Sequence, residues 1–219
     1  MQTGDKISFG QYTWLVLDIQ EDAALLITDQ MIGQRPYHNK AGDVSWADCE
    51  LRTYLNNEVY QSFNEEEQAA IMTVTNKNMD NPWYGTDGGE ATQDNIFLLS
   101  IEDAVCHYFG DSSALLYHPG KNQKYWFQRK DKNNIHRQAL YDDYVWWWWL
   151  RSPGRAGNRA VYIWGDGNIG IQGNATFHYG SDTVHPLTND NSGGIRPALW
   201  MKLTEISRYA NTAEHEMIR

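Results

Sequence analysis

The chain of 219 residues lacks any run of roughly 18 consecutive apolar residues, which is what a helix needs to cross a bilayer. That excludes membrane insertion by a helix. It also lacks an excess of basic charge. Eighteen Lys and Arg stand against 28 Asp and Glu, a formal net charge of −10, and no basic run is longer than Arg129-Lys130. Such a chain is repelled by phosphate backbones and anionic lipid, so nucleic acid is not an expected partner. Cysteine is scarce: Cys49 and Cys106 lie far apart and form no metal-ligand spacing. A single disulfide between them is formally possible, and two small buried or half-buried thiols are the plainer reading. The seven histidines, His38, His107, His118, His136, His178, His185 and His215, include no pair at i, i+4 and no metal signature. No Gly-x-Ser-x-Gly elbow, phosphate loop or dinucleotide fingerprint is present. Gly165-Asp166-Gly167-Asn168 lacks the ligand ladder of a calcium-binding hand, although an ion that stabilises loops stays open. No metal or cofactor is therefore expected. The first residues, Met1 to Lys6, contain no apolar signal-peptide core, so the chain as encoded is expected in the cytoplasm, with surface display or phage association left open.

Aromatic residues are abundant instead. Ten Trp, 13 Tyr and 6 Phe make 13% of the chain, too many for a disordered polymer. Trp146, Trp147, Trp148 and Trp149 stand in a row. In a strand, alternate rings face opposite sides, so two would enter the core and two would lie outward or under loops.

The periodicity indicates one α+β domain over 1–203 with a polar C-terminal tail over 204–219. Ile7 and Phe9 alternate with polar neighbours, Tyr12 to Ile19 is a richer strand, and Ala23 to Thr28 returns after Glu21-Asp22 as its hairpin partner. Ser45 with Asp48 and Ser100 with Asp103 have the spacing of helix N-caps, and a short helix begins near Asn64 with Glu65, Glu66 and Glu67 in its first turn, where they complement the helix dipole. Leu51, Leu55 and Val59 form an apolar stripe. Asn76 to Asp94 reads as a long surface loop, and 110–144 as irregular and polar. Gly154, Gly165, Gly167, Gly193 and Gly194 read as turn positions. Arg151 and Arg196 read as buried arginines that tie loops together or stack on Trp. In the late hairpin, Val161, Ile163, Ile169 and Ile171 form an aliphatic inner face, with Tyr162, Trp164, Asp166 and Asn168 pointing outward.

Three stretches together resemble a bacterial domain family of unassigned function: Trp147-Trp148-Trp149-Leu150-Arg151-Ser152-Pro153-Gly154, the Ala160-Val161-Tyr162 strand with its Asp-Gly turn, and Gly194-Ile195-Arg196-Pro197-Ala198-Leu199-Trp200. Trp14-Leu15-Val16-Leu17, Leu51 to Asn56, Phe63 to Glu67 and Phe97 to Ser100 extend the likeness over about residues 4 to 203. That family is similar to the C-type-lectin-like fold in its broad sense, shared with formylglycine-generating enzymes and with the variable proteins of diversity-generating retroelements. The resemblance implies a twisted, mostly antiparallel sheet flanked by helices, chain ends that meet, and irregular loops over a binding face. It also raises a retroelement-diversified surface as a reading.

The expected function is that of a non-enzymatic binding module for a protein or glycan ligand, with oligomeric state open. Its recognition residues would be Asn158, Arg159, Tyr162, Trp164, Asp166, Asn168, Asn174, His178, Tyr179, Ser181 and Asp182. Tyr and Trp supply rigid contact area, while Asn, Ser and Asp supply adaptable hydrogen bonds. Tyr162 and Trp164 are the expected anchors. The alternatives are a degenerate enzyme of the formylglycine-generating or sulfoxide-synthase fold, and a structural or assembly domain. The late cysteine pair of the first is missing here, since both cysteines precede residue 110.

Overall fold

The computed structural model describes residues 1–114, 131–177 and 192–210. The chain opens with the expected meander: β1 (Lys6–Phe9), β2 (Tyr12–Ile19) and β3 (Ala23–Thr28) pair antiparallel in chain order. Alternation sends Ile7, Phe9, Trp14 and Val16 into the core. β4 (Gly33–Arg35) leaves this sheet for a second one.

Short helices follow. α1 (Glu50–Tyr54) runs straight into a wide π turn, Leu55–Val59, which keeps Leu51, Leu55 and Val59 buried. α2 (Glu65–Ala70) begins where expected and carries a capping box: the Asn64 side chain accepts from the Glu67 N–H at 3.0 Å, and Glu67 accepts from the Asn64 N–H at 2.9 Å. Ser100 and Asp103 make the same reciprocal pair, at 3.1 and 2.8 Å, ahead of α3, the π turn Asp103–His107. Ser45 departs from expectation. Its hydroxyl meets the Asp48 carboxylate at 3.0 Å instead of a backbone N–H, and Cys49 Sγ caps α1 by accepting from the Arg52 N–H at 3.4 Å.

β5 (Ile71–Met72) joins the first sheet, while β6 (Val74–Asn76) and β7 (Thr92–Asp94) pair as a two-stranded ladder. The loop between β6 and β7 is not simply a surface loop. Asn81 is 1% exposed and donates to the Pro153 and Ile171 carbonyls at 2.8 and 3.0 Å, while its own oxygen accepts from the N–H groups of Trp83 and Tyr84. A buried amide with every partner in place pins the loop to the second sheet.

Further along come α4 (Asn134–Arg137), the hairpin β8 (Leu140–Tyr141) and β9 (Tyr144–Val145), then β10 (Trp148–Pro153), β11 (Arg159–Ile163) and β12 (Ile169–Ala175). β13 (Gly193–Ile195) and β14 (Ala198–Lys202) precede α5 (Leu203–Ala210). The first sheet has the order β1-β2-β3-β14-β5, and the second β12-β11-β10-β13-β4. Only the β10–β13 pair within them is parallel, so the fold is α+β with mostly antiparallel sheets. Placing β14 beside β3 brings the ends of the domain together. Ile206 of α5 is buried, and the Tyr209 ring stands edge-on to Phe9 at 4.9 Å. The polar segment from 204, which the sequence allows as either a short helix or a frayed tail, thus begins as a helix docked on the first sheet. Gly193 and Gly194 lie inside β13 rather than in a turn.

The expected buried arginines are there, with a third that sequence patterning did not single out. Arg151 bonds the Leu98 carbonyl at 2.7 Å and the Asp103 carboxylate at 2.8 Å. Arg196 lies 5.2 Å from the Trp148 ring centroid and donates to the Thr28 carbonyl at 3.0 Å. Burial pulls its pKa down to about 10, against the opposing charge of Asp29. Arg137 is fully buried and bonds Asp131 at 2.9 Å, Ser112 at 3.0 Å and the Ala104 carbonyl at 2.9 Å.

Candidate functional site

Two of the four Trp in the row enter the core and two do not, but they are not alternate ones: β10 begins at Trp148, and both of its faces are covered. Trp148 and Trp149 are fully buried, while Trp146 and Trp147 are half-buried. Trp148 turns to the aliphatic face, where its Nε1 donates to the Arg137 carbonyl at 3.0 Å. Trp147 and Trp149 share the opposite face with Tyr162 and Trp164, because Trp149 and Tyr162 are register partners.

On that face the rings form one chain. Trp46 and Tyr37 are 6.1 Å apart, Tyr37 and Trp149 5.5 Å, Trp149 and Trp147 4.7 Å, Trp147 and Tyr162 5.4 Å, and Tyr162 and Trp164 5.1 Å. Most pairs meet edge-to-face, the arrangement that ring quadrupoles favour, at about 0.5–1.5 kcal/mol per pair beyond area burial. Two glycines make the chain possible. A Cβ on Gly170 would sit 2.3 Å from the Tyr162 ring, and one on Gly193 would sit 2.5 Å from both Trp147 and Trp149. The rings rest directly on backbone.

This changes the role of Tyr162. The sequence pattern places it outward, beside Trp164. The structure leaves it 5% exposed, wedged between Trp147, Trp164 and Gly170. Its face of the sheet is correctly read, but that face is covered along most of its length. Asn168 is likewise 8% exposed and not outward. It donates from Nδ2 to Asp166 at 2.7 Å and accepts from Asn134 Nδ2 at 2.7 Å, so it ties the turn to α4. Asp166 is exposed, and it also accepts from the Asn168 N–H at 3.0 Å.

The chain of rings surfaces at Trp164, which is 41% exposed. A cleft of about 270 Å³ opens beside it, lined by Trp164, Gly165, Asp166 and Asn168. Around this turn gather residues that the sequence reading missed. Gly165 faces the Val145 backbone, with an added Cβ 3.5 Å from its oxygen, and Gly167 packs on the Asn134 carbonyl. The backbone of Val145 and of Asn134 thus lies against the turn that follows Trp164, with Tyr144 and Ile135 their neighbours along the chain. Four of the seven exposed large apolar side chains among the described residues belong to these stretches: Tyr144 at 75%, Ile135 at 64%, Val145 at 52% and Trp164 at 41%. Between β8 and β9 the chain turns through Asp142 and Asp143, at φ 51° and 66°. Both are left-handed, a conformation that Asp tolerates better than most residues, and they are the only such non-glycine residues described. The signal was present in Tyr-Asp-Asp-Tyr, an acidic pair between aromatics, but without glycine it did not read as a hairpin turn.

Residues 21–203 match the family described as "Domain of unknown function (DUF6273)". The chain belongs to the DUF6273 family. The match spans most of the chain and includes the whole second sheet, the Trp164 turn and β3, β5 and β14 of the first sheet, while β1 and β2 precede it. No curated protein and no solved structure matches the chain.

The remaining expected site residues of this DUF6273 domain fall in two groups. Asn158, Arg159 and Asn174 lie at the far end of the β11–β12 hairpin. Five residues of strand separate Arg159 from Trp164, about 16 Å. There the Asn158 carbonyl accepts from the Thr176 N–H and hydroxyl, Arg159 donates to the Gly173 carbonyl at 2.9 Å, and Asn174 accepts from the Ala175 N–H at 3.0 Å. These bonds shape the hairpin end. His178, Tyr179, Ser181 and Asp182 lie outside the described residues, as does Trp126. Among the described residues no three His, Cys, Asp or Glu side chains converge as a metal site. Burial raises the Cys49 thiol to about 12, the reverse of an activated nucleophile.

Proposed function

We propose that this DUF6273 domain is a non-enzymatic binding module whose recognition surface is the aromatic patch around Trp164. The observation that carries the reading is the exposed Trp164 ring at the end of the aromatic chain beside a cleft of about 270 Å³, with the backbone next to the exposed Tyr144, Val145 and Ile135 packed against the same turn. Soluble domains rarely collect large apolar side chains on their surface without a partner for them. Trp and Tyr are also the residues that dominate binding energy when they are buried by a ligand. The ring chain behind Trp164 supplies rigidity, which lowers the entropy lost on binding. The ligand is a protein or a glycan: the indole face and the adjoining cleft with Asp166 suit either a side chain or a sugar ring.

The finer fold reading goes with this proposal. A C-type-lectin-like scaffold is supported by the two sheets and by the meeting of β1 with the end of the chain at α5. A retroelement-diversified surface rests on residue types alone. On this structure it would vary exposed positions such as Asn158, Trp164 and Asp166, not the buried Tyr162 and Asn168. A near-copy of the corresponding codons in neighbouring DNA, differing only at adenines, is the observation that decides it.

The binding reading is tested by presenting the wild-type chain, and a variant carrying Trp164→Ala, Tyr144→Ala and Val145→Ser, to a glycan array and a peptide array. The expected result is ligand signal from the wild type alone, with both proteins melting at similar temperatures. Binding that is indifferent to the triple variant, or absent from both proteins, overturns the proposal.

A further inference from the structure

A second feature, on the opposite edge of the second sheet, calls for a ligand of different chemistry. Beside β4 lies a cavity of about 300 Å³, whose lining includes Arg35, His38, Glu50, Thr53, Tyr54 and Glu58. Its volume is at the lower end for small-molecule sites, which suits one small metabolite rather than a polymer. Its walls come from two elements held in place independently. The Arg35 carbonyl accepts from Trp149 Nε1 at 3.0 Å, and its strand pairs with β13. Glu50, Tyr54 and Glu58 recur every four residues along α1 and its continuation, and so form a stripe toward the cavity. Glu58 sits in the π turn, a rare local structure that is concentrated at functional sites.

The charged groups are arranged but not used up. The Arg35 guanidinium carbon lies 3.8 Å from the Tyr54 ring centroid, a contact that holds the group at the cavity wall and does not consume its N–H donors. Glu58 approaches it only to 4.0 Å and is 70% exposed, so that pair is weak and readily displaced. Glu50 makes no side-chain hydrogen bond or ion pair among the described residues, and His38 Nδ1 is buried without a partner. One guanidinium, two carboxylates and an aromatic ring thus line the same cavity.

We infer that this cavity binds a free basic α-amino acid, with the ligand's α-carboxylate on Arg35 and its two cationic groups on Glu50 and Glu58. A carboxylate matches the guanidinium fork in shape and charge. Two cations balance the two glutamates, so neither carboxylate nor guanidinium is left unpaired in the complex. A simple diamine leaves Arg35 unmatched, and a dicarboxylate meets Glu50 and Glu58 with repulsion.

Isothermal titration calorimetry of the full chain, with L-arginine and L-lysine as probes, tests the inference. Agmatine, which lacks the carboxylate, and L-glutamate serve as comparators. The expected result is saturable binding of at least one basic amino acid, with agmatine weaker by about tenfold or more and L-glutamate silent, as loss of a charge-assisted hydrogen bond predicts. Arg35→Gln and Glu58→Gln should each weaken binding by about tenfold or more. Arg35→Lys should restore part of it, since the charge returns without the fork. Both side chains are substantially exposed, at 43% and 70%, so the unliganded melting temperature should hold. Agmatine binding as tightly as arginine overturns the inference. So does affinity unchanged by Arg35→Gln, or no saturable heat from either amino acid at millimolar concentration.

Discussion

The two five-stranded sheets solve the same packing problem with different chemistry. The first is aliphatic at its centre: β3 reads Ala-Ala-Leu-Leu-Ile-Thr and is buried throughout, with Val16 and Leu199 on the strands beside it. Its aliphatic side chains ask nothing of their neighbours except contact, and only the closing Thr28 buries a polar atom there, its hydroxyl, without a partner among the described residues. The second is built from Trp, Tyr, Gly and Arg, and every polar atom it buries needs a partner. Trp148 finds the Arg137 carbonyl, Trp149 the Arg35 carbonyl, Arg151 the Leu98 carbonyl, and Tyr37 donates to the Arg151 carbonyl at 3.1 Å. The centre of the first sheet is therefore stabilised by apolar contact, whereas the second also depends on backbone acceptors for its buried side chains, brought from other parts of the chain. At one end of the second sheet that dependence stops, and Trp164 emerges.

The contrast can be broken most sharply at Arg137. Arg137→Ala leaves the Asp131 carboxylate buried beside an empty space and should cost about 3–5 kcal/mol in urea unfolding. A cost below that of Leu26→Ala in the first sheet, about 2–5 kcal/mol, would erase the distinction between the sheets. Next is the pair Tyr162 and Trp164, two residues apart on one face. Tyr162→Ala should lose about 3–5 kcal/mol, because a buried ring is removed from the chain of aromatics. Trp164→Ala should stay within roughly 1 kcal/mol, with little beyond a single ring contact to lose. Equal losses would mean that Trp164 is scaffold. Asn81→Ala, which strands the Pro153 and Ile171 carbonyls, should cost about 1–3 kcal/mol and raise hydrogen exchange at the β10–β12 end.

Smaller effects concern protonation. Burial works against the Asp131 carboxylate, but the Asn133 N–H, the Ser112 hydroxyl and Arg137 together hold its pKa below the ordinary value. Its contribution is therefore complete above the unfolded carboxylate pKa and is lost as pH falls through the depressed folded value. Asp131→Asn should flatten that acid limb of a stability-versus-pH curve; an unaltered limb would assign it to other carboxylates. The smallest effect separates the cysteines. Burial raises Cys49 to about 12, and it is wholly enclosed, whereas Cys106 is half-buried on α3. A thiol reagent at mildly alkaline pH should label Cys106 in the folded chain and Cys49 only in denaturant.

Much of the fold was legible because its signals are local. The β1–β3 meander, the helix start near Asn64 and the Ser100 cap follow from alternation and from side chains that reach three residues along the chain. The buried arginines at 151 and 196 were legible from their Trp-rich surroundings. Arg137 was not, because nothing in Asn-Asn-Ile-His-Arg marks it as buried; its partners Ser112 and Ala104 arrive from α3 and the segment after it. Asn81 hid in a stretch whose Asn, Asp and Gly content signals turns, and only the docking of that loop on β10 and β12 gives its amide a structural task. The candidate surface was half legible. Trp164 was found, while Tyr144, Val145 and Ile135 were missed because a short hairpin with an Asp-Asp turn lacks the glycine that usually announces one.

By itself, the sequence determined which residues share a face. Alternation along a strand depends on backbone geometry alone, so Tyr162 and Trp164 were bound to lie on the same side of β11, opposite Val161 and Ile163. Whether that side meets water was decided only by the tertiary structure. Exposure is a property of what else packs there: Gly170 beneath, Trp147 from the next strand and the turn after Trp164. Those neighbours bury one ring and leave the next, two residues on, in contact with solvent.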